Sequence, residues 1–523
     1  MYILNTLILL SISAVLYIYW YFKKAHKFFD QCNVPHSKPH WFFGNMKDII
    51  TRKKTIWDAY GDVYEKHSSD RFFGVYTLHR PAVVIRDPEL IKAVLVKDFS
   101  HFHDRGFPVN KEAEPMSMNL FNMPGDEWRN LRIKLTSTFT SGKMKMMFPL
   151  LKKCAEDIKP VLIKHYQDGQ DFEAKDFCAR YTTDVIGSCA FGIDIHSIRD
   201  PNSEFRQVGR NVFKSRWQMY LRMFFPNIST SMIKRLKLHF FDEGTCNYFQ
   251  KIVKDMVKYR EENNITRGDF LDILIAMKNH KELEKLKDQQ DEADLAKFMA
   301  QIGNKKTIKN DVEMSIELLA AQCFIFFLGG FEGGSSTIML TLFALAENPH
   351  IQSKLREEIL SALEINGGEL SYQTMKKIPY LEMVIDETLR KYPIGAVLFR
   401  TCTENYKIPD SNAVIKKGTQ VIIPTAALHT DKEYFEKPHE FYPEHFSAEA
   451  KLNRHHFAFL PFGEGPRVCI AERFARMQVI VGLIYLLKEF SFELSPKTKV
   501  PLEYEPTGSI IVKGGIWLKC QPL

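Results

Sequence analysis

One stretch, Pro461-Phe-Gly-Glu-Gly-Pro-Arg-Val-Cys-Ile470, constrains this chain more than any other, because a glycine-rich turn there delivers a thiol to the start of an apolar helix. Phe474, Val479, Ile480, Leu483, Ile484 and Leu487 recur at the spacing of a buried helix that begins near Ala471. Cys469 therefore stands at the positive end of a helix dipole, where a thiolate is favoured, and it reads as a metal ligand. Gly463 and Gly465 leave room for a flat group to approach the backbone, and Pro466 stiffens the turn. Phe462 can shield the sulfur, and Arg467 offers a fork of donors to an anion. The plainer alternative is a buried structural cysteine, the default for any lone thiol.

Three further patterns precede the thiol. In Gly125-Asp-Glu-Trp-Arg-Asn-Leu-Arg132, Trp128 and Arg132 share one helical face at i and i+4, so an indole and a guanidinium can together clamp a carboxylate. From Asp311 to about Glu347 one long helical pattern runs to Pro349, which would span roughly 55 Å. Its centre, Phe326-Phe-Leu-Gly-Gly-Phe-Glu-Gly-Gly-Ser-Ser-Thr337, holds four glycines, each costing about 1 kcal/mol relative to alanine, so something must offset them. In Asp386-Glu387-Thr-Leu-Arg390, Glu387 and Arg390 are placed for a carboxylate–guanidinium fork.

Together these stretches resemble the haem-binding loop, the oxygen-binding groove and the Glu-x-x-Arg motif of the cytochrome P450 family, haem-thiolate monooxygenases, with insect microsomal members the nearest likeness. The resemblance implies a mainly α fold with small β-sheets, and haem b (iron protoporphyrin IX) held by Cys469 beside Phe462 and Arg467. It implies propionate contacts from Trp128, Arg132 and, more weakly, Arg105, with Arg400 as a further contact. Ile394 to Phe399 and Pro506 to Ile510 match pocket-lining segments, and the aromatic run Phe213 to Phe225 matches the pocket roof, although aromatics at helical spacing are more often ordinary core.

The chain departs from the family pattern at three places. Ala471 replaces a usual glycine, so packing is expected to shift while ligation persists. Gly333 follows the acidic Glu332 where a threonine hydroxyl usually helps deliver protons for O–O cleavage; Ser335, Ser336 or a water would have to substitute. Pro443-Glu-His-Phe446 places His445 where an arginine usually completes the Glu387–Arg390 network, and an imidazole cannot reproduce a five-donor fork. Gly333 keeps two alternatives open: dehydration or rearrangement of an oxygenated or N–O substrate on the same site, and a haem sensor or carrier without catalysis.

Tyr2 to Phe22 carries no charge over 21 residues, long enough to cross a bilayer, and Lys23, Lys24 and Lys27 follow at once. This reads as a retained anchor in the endoplasmic reticulum membrane with the rest of the chain in the cytosol; a cleaved signal is the alternative. The expected organisation is an anchor over 1–22, a basic and proline-containing linker over 23–40 and a haem-thiolate catalytic domain over 41–523. Nine scattered cysteines show no paired metal-ligand spacing and argue against a disulfide framework. The net charge of +8 comes without basic–aromatic interleaving, so no nucleic-acid partner is expected. Arg129, Lys134, Lys143 and Lys145 could face an acidic electron donor, though such charges are usually just solvated. The implied partners are an NADPH-dependent flavoprotein reductase, cytochrome b5 as a second candidate, O2, the membrane and a lipophilic small molecule. Strands are expected within 72–98 and at Val414-Ile415 and Thr419 to Pro424, and a solvated linker over 281–306.

Overall fold

The computed structural model describes residues 2–214, 216–224, 228–279, 313–507 and 510–523. The expected linker over 281–306 and the first residues of the expected long helix lie outside them.

The amino-terminal helix, Tyr2–Ala25, runs a few residues past the uncharged stretch and carries Lys23 and Lys24 in its last turn. It leaves its apolar side chains exposed up to Phe22, which is buried. At about 1.5 Å per residue it reaches roughly 36 Å, more than the ~30 Å of a hydrocarbon core. Phe22 stacks on Phe42 at 5.1 Å and Tyr19 meets Trp41 at 6.0 Å, so the helix base rests on the body of the protein. The following segment is packed against the fold: Phe29 is buried against Gly74, where a Cβ would lie 2.5 Å from its ring. Tyr76 donates its hydroxyl to the His26 carbonyl at 2.9 Å.

A four-stranded sheet lies beneath, in the order Phe72–Thr77, Arg80–Ile85, Gln420–Ile423, Leu398–Thr401, with only the middle pair parallel. The expected strand character of 72–98 ends at Ile85. Asp87 accepts the Glu89 amide at 2.8 Å and Pro88 occupies the first turn, so Pro88–Lys92 is an α-helix that continues as a wider turn through Lys97. Leu90, Ile91, Val94 and Leu95 are all buried, at a spacing that belongs to a helix; β-branched composition alone misled there.

The helical body is built on Ile316–Glu347, capped by Ser315, which accepts the Leu318 amide at 3.2 Å. Close packing offsets its glycines. At Gly330 a Cβ would stand 2.2 Å from Ile186 of the helix Ala174–Ile186, and at Gly334 one would stand 3.1 Å from the Gln478 side chain of the helix Glu472–Leu487. Three helices thus cross at distances that larger residues would forbid. A three-stranded sheet, with Trp517–Pro522 between Phe172–Glu173 and Phe490–Leu494, closes the far side.

Candidate active site

The thiol loop is set by backbone hydrogen bonds. Cys469 N–H donates to Phe462 at 2.9 Å, Val468 to Gly465 at 2.9 Å and Gly463 to Leu460 at 3.1 Å. Gly465 adopts φ +73°, and a Cβ there would lie 1.9 Å from the Leu95 carbonyl, so both conformation and space require glycine. Ala471 sits at the amino end of Glu472–Leu487 with φ −102°, which alanine adopts without strain. Burial and Glu472 push the Cys469 thiol up, while the Ala471 amide and the charges of Arg132 and Arg105 pull it down.

The loop is tied to the fold by His429, which lies in the family-like stretch Thr425 to Thr430 but was assigned no role from sequence. Leu460 N–H donates to His429 Nε2 at 2.9 Å, which requires an unprotonated nitrogen there. Burial, reinforced by Arg390, lowers His429 to about 3. The folded value lies below the unfolded one, near 6.5, so between pH 6.5 and 3 the unfolded chain binds the extra proton and stability falls as pH drops. Denaturation midpoints measured from pH 7 to 4.5 should decline by up to about 1.4 kcal/mol per pH unit from this residue, and His429→Gln, which keeps an acceptor, should flatten that slope.

Four guanidinium groups gather beside the thiol. Arg467 donates from Nε to His103 O and from Nη2 to Met123 O, both at 2.8 Å, and its plane lies 3.9 Å from the Trp128 ring centroid. Arg400, on Leu398–Thr401, donates to Phe399 O at 2.8 Å. Arg105 reaches Phe121 O at 3.1 Å and Arg467 O at 3.0 Å. Arg132 completes the group from the helix Gly125–Thr136. Burial lowers Arg467 to about 9 and Arg132 and Arg400 to about 10, and Arg105 is forced well below the ordinary range by burial and by the other three. Asp104 stands 3.6 Å from Arg467. Arg467 Nη1 and Arg400 Nε are buried without a protein partner. Buried guanidinium donors left unspent at Arg467 and Arg400 make a site for anionic groups. Trp128 does face this cluster, as the flat support of Arg467 rather than as a partner of Arg132 alone.

On the long helix the residues separate by face. Added Cβ atoms at Gly329 and Gly333 would meet no atom within 4 Å, so that face borders open space. Glu332 pairs instead with Lys175 at 3.0 Å, and Ser336 Oγ lies between them, 2.5 Å from Lys175 Nζ and 3.4 Å from Glu332 Oε1. Ser335 donates at 2.7 Å to the Phe331 carbonyl and is fully buried, which takes its hydroxyl away from the Gly333 face. Thr337, which sequence reasoning missed, stands one turn after Gly333 and donates to the Gly333 carbonyl at 2.8 Å. The i, i+4 relation was its available signal. Lys175 had none.

A cavity of about 240 Å³ adjoins this region, between the loop 107–122, the segment 239–250 and Ile325 and Leu328 of the long helix. Phe213, from the expected roof, stacks on Phe331 at 5.3 Å. The side chains of Tyr220, Met223 and Phe224, and residues 508 and 509 of the other expected lining segment, lie outside the described residues.

A helical body with a thiol on a glycine-built loop, desolvated guanidinium groups whose charges act on that thiol, and a central helix with an open glycine face has the features of the haem-thiolate class. The chain belongs to the cytochrome P450 family, whose model matches residues 34–519. It is similar to probable cytochrome P450 6a21 of Drosophila melanogaster (38% identity, 99% of each chain) and to cytochrome P450 6a2 of the same species (38% identity, the whole of each). It is also similar to cytochrome P450 6k1 of Blattella germanica, at 36% identity over 97% of this chain and 95% of that one. The protein is accordingly a haem-dependent monooxygenase of the P450 type.

Proposed function

We propose that Cys469 would hold the iron of haem b and that the protein inserts one oxygen atom from O2 into a lipophilic small molecule. The observation that carries this is the convergence of the Cys469 thiol with buried guanidinium nitrogens of Arg467 and Arg400 that no protein atom satisfies. That donor set suits a flat cofactor with a metal at its centre and carboxylates at its edge. The chemistry haem supplies when bound is the activation of O2 and transfer of one oxygen atom. Arg105, Arg132, Arg400 and Arg467 neutralise and orient the carboxylates, Trp128 supports Arg467, and Phe462 covers the sulfur. Gly329 and Gly333 would leave the helix surface clear on the side where the group is bound. Glu332 Oε1 and Lys175 Nζ hold a proton at the helix surface with Ser336 Oγ between them, and Thr337 or a water carries it past Gly333.

The electrons come from NADPH through a flavoprotein reductase, with cytochrome b5 as a second donor. The exposed apolar helix Tyr2–Ala25 followed by lysines supports anchoring in the endoplasmic reticulum membrane with the catalytic body in the cytosol. Domain limits of 1–22, 23–40 and 41–523 remain our division, although packing of Phe29 makes the middle segment part of the folded body.

The test is turnover of purified protein with reductase, NADPH and lipophilic substrates, scored for oxygenated and for dehydrated products. Gly333 alone favours dehydration or rearrangement, and variants separate the two readings. A Cβ at Gly333 would meet no atom within 4 Å and threonine replaces a poor helix former, so in an oxygenating enzyme Gly333→Thr should leave coupling of NADPH to product unchanged or improve it. Thr337→Val should raise peroxide release, because its hydroxyl is bonded at the Gly333 carbonyl itself, whereas Ser335→Ala should not, because that hydroxyl is fully buried at the Phe331 carbonyl, away from the Gly333 face. Dehydration indifferent to NADPH in the wild type and in all three variants would favour the second reading.

A further inference from the structure

We infer that the cleft between the carboxyl ends of the long helix and of the helix Pro379–Lys391 is a second ligand site, and that it takes a zwitterion: a molecule with an ammonium group, a carboxylate or phosphate, and an apolar body. The cleft holds about 900 Å³, within the range of small-molecule sites, and is closed on its other sides by the helix Ile56–Lys66 and the loop 500–513. It shares no wall residue with the 240 Å³ cavity. Both touch the long helix, at Leu328 and at Phe343, positions roughly 22 Å apart along a helix. Pro506 and Ile510 also line the cleft, so an occupant touches a segment that the family resemblance assigns to the substrate pocket.

Four rings from four segments give the cleft an apolar lining: Trp57 and Tyr504 meet edge to face at 5.4 Å, and Phe343 and Tyr392 do so at 6.3 Å. Most polar groups around them are already engaged. Lys54 pairs with Asp62 and Lys513 with Glu503 at 3.3 Å, Thr55 donates to Asp58 at 2.6 Å, Thr430 donates to the Ala426 carbonyl at 3.1 Å, and Arg52 has a partner of its own. Lys53, Glu65 and His439 are exposed, where water and salt screen them. Glu347 and Lys391 differ from all of these: both line the cleft, and no hydrogen bond or ion pair engages either side chain among the described residues. Burial raises Glu347 and lowers Lys391, and the charge of each partly offsets the shift of the other, so the two act on one another without touching. The hydroxyls of Tyr392 and Tyr504 are likewise without a partner among the described residues, and burial keeps both phenols protonated, able to donate and to accept.

One ammonium and one carboxylate, held apart, decide the charge of what fits between them. A simple anion would satisfy Lys391 and be repelled by Glu347, and a simple cation would meet the reverse. A zwitterion satisfies both: its anionic group accepts from Lys391 and the phenols, its ammonium donates to Glu347, and its body lies on the rings. Free amino acids with apolar side chains and ethanolamine phospholipid head groups share this chemistry.

The test uses the full-length, haem-loaded protein in a nonionic detergent, with binding followed by isothermal titration calorimetry. Three probes share a phenylalkyl body: phenylalanine carries both charges, phenethylamine the cation alone and 3-phenylpropionate the anion alone. Lysophosphatidylethanolamine and the anionic lysophosphatidylglycerol form the lipid pair. The wild type should bind at least one of the two zwitterions about 10-fold more tightly than its singly charged counterparts, as one added charge-assisted contact implies. Phenylalanine alone would identify a free zwitterion as the ligand, and the lipid alone a head group. In Glu347→Gln the anionic probes should bind as well as the zwitterion or better, and in Lys391→Gln phenethylamine should do so. Glu347 is exposed at the end of its helix, so its variant decides the matter should Lys391→Gln not fold. No saturable binding of either zwitterion, no preference over the singly charged probes, or a preference that persists in Glu347→Gln overturns the inference. Cys469→Ser, which bears on the haem-thiolate reading, should leave this binding unchanged, so the two readings fail separately.

Discussion

Cys469→Ser is expected to yield a folded protein whose reduced carbon monoxide complex lacks the red-shifted band of thiolate-bound haem and whose monooxygenase turnover falls to background. The loop should survive the change. Its shape rests on the backbone bonds from Cys469 to Phe462 and from Val468 to Gly465, and on Gly465 against Leu95, none of which uses the sulfur. Serine is close in volume, but its hydroxyl is far less acidic than a thiol and does not furnish an anionic ligand that donates electron density as sulfur does. The four-arginine cluster is untouched, so some haem should still bind. A serine variant that kept the red-shifted band would remove Cys469 from the ligand position.

Arg390→Leu should have the largest effect on stability. The guanidinium is fully buried and every donor is used: Nε and Nη2 fork onto Glu387 at 2.8 and 2.7 Å, Nη1 reaches His429 O at 3.0 Å and Pro438 O at 2.8 Å, and Nη2 also reaches Glu440 O at 3.0 Å. Removing it strands a buried carboxylate and three carbonyls, a loss of about 3–5 kcal/mol or more. Against a total stability of roughly 5–15 kcal/mol, such a variant should express mainly as aggregate without haem. His445, expected from sequence to make a weaker network, does join it: Nδ1 lies 3.1 Å from Glu387 Oε2 and Nε2 faces the Glu436 carbonyl. His445→Ala should therefore cost about 1–3 kcal/mol, measured by denaturant unfolding of the haem-bound protein. Equal midpoints for His445→Ala and the wild type would show that Tyr442 N–H and Arg390 hold Glu387 without it.

Much of this molecule is carried by runs of neighbouring residues. The thiol loop, the apolar helix after it, the anchor from Tyr2, the long helix through its glycines and the Glu387–Arg390 fork are each written within one turn or a few turns of chain, because helical periodicity and turn chemistry are local. Even there a short apolar run was ambiguous: residues 88–97 are helical because Asp87 and Pro88 start a helix, against a β-branched composition.

What only the tertiary structure decided is how each helix is rotated and what arrives from far away in the chain. Glu332 and Ser336 turn toward Lys175, Ser335 folds back on Phe331, and Thr337 alone shares the turn with Gly333, because the close approaches at Gly330 and Gly334 set the rotation of the long helix. Trp128 came to lie against Arg467, and Arg222 against Glu114, through contacts between segments that no local pattern links. The physical reason is the same in each case: a local pattern states which face a residue occupies, but its partner across that face is chosen by the packing of the whole chain.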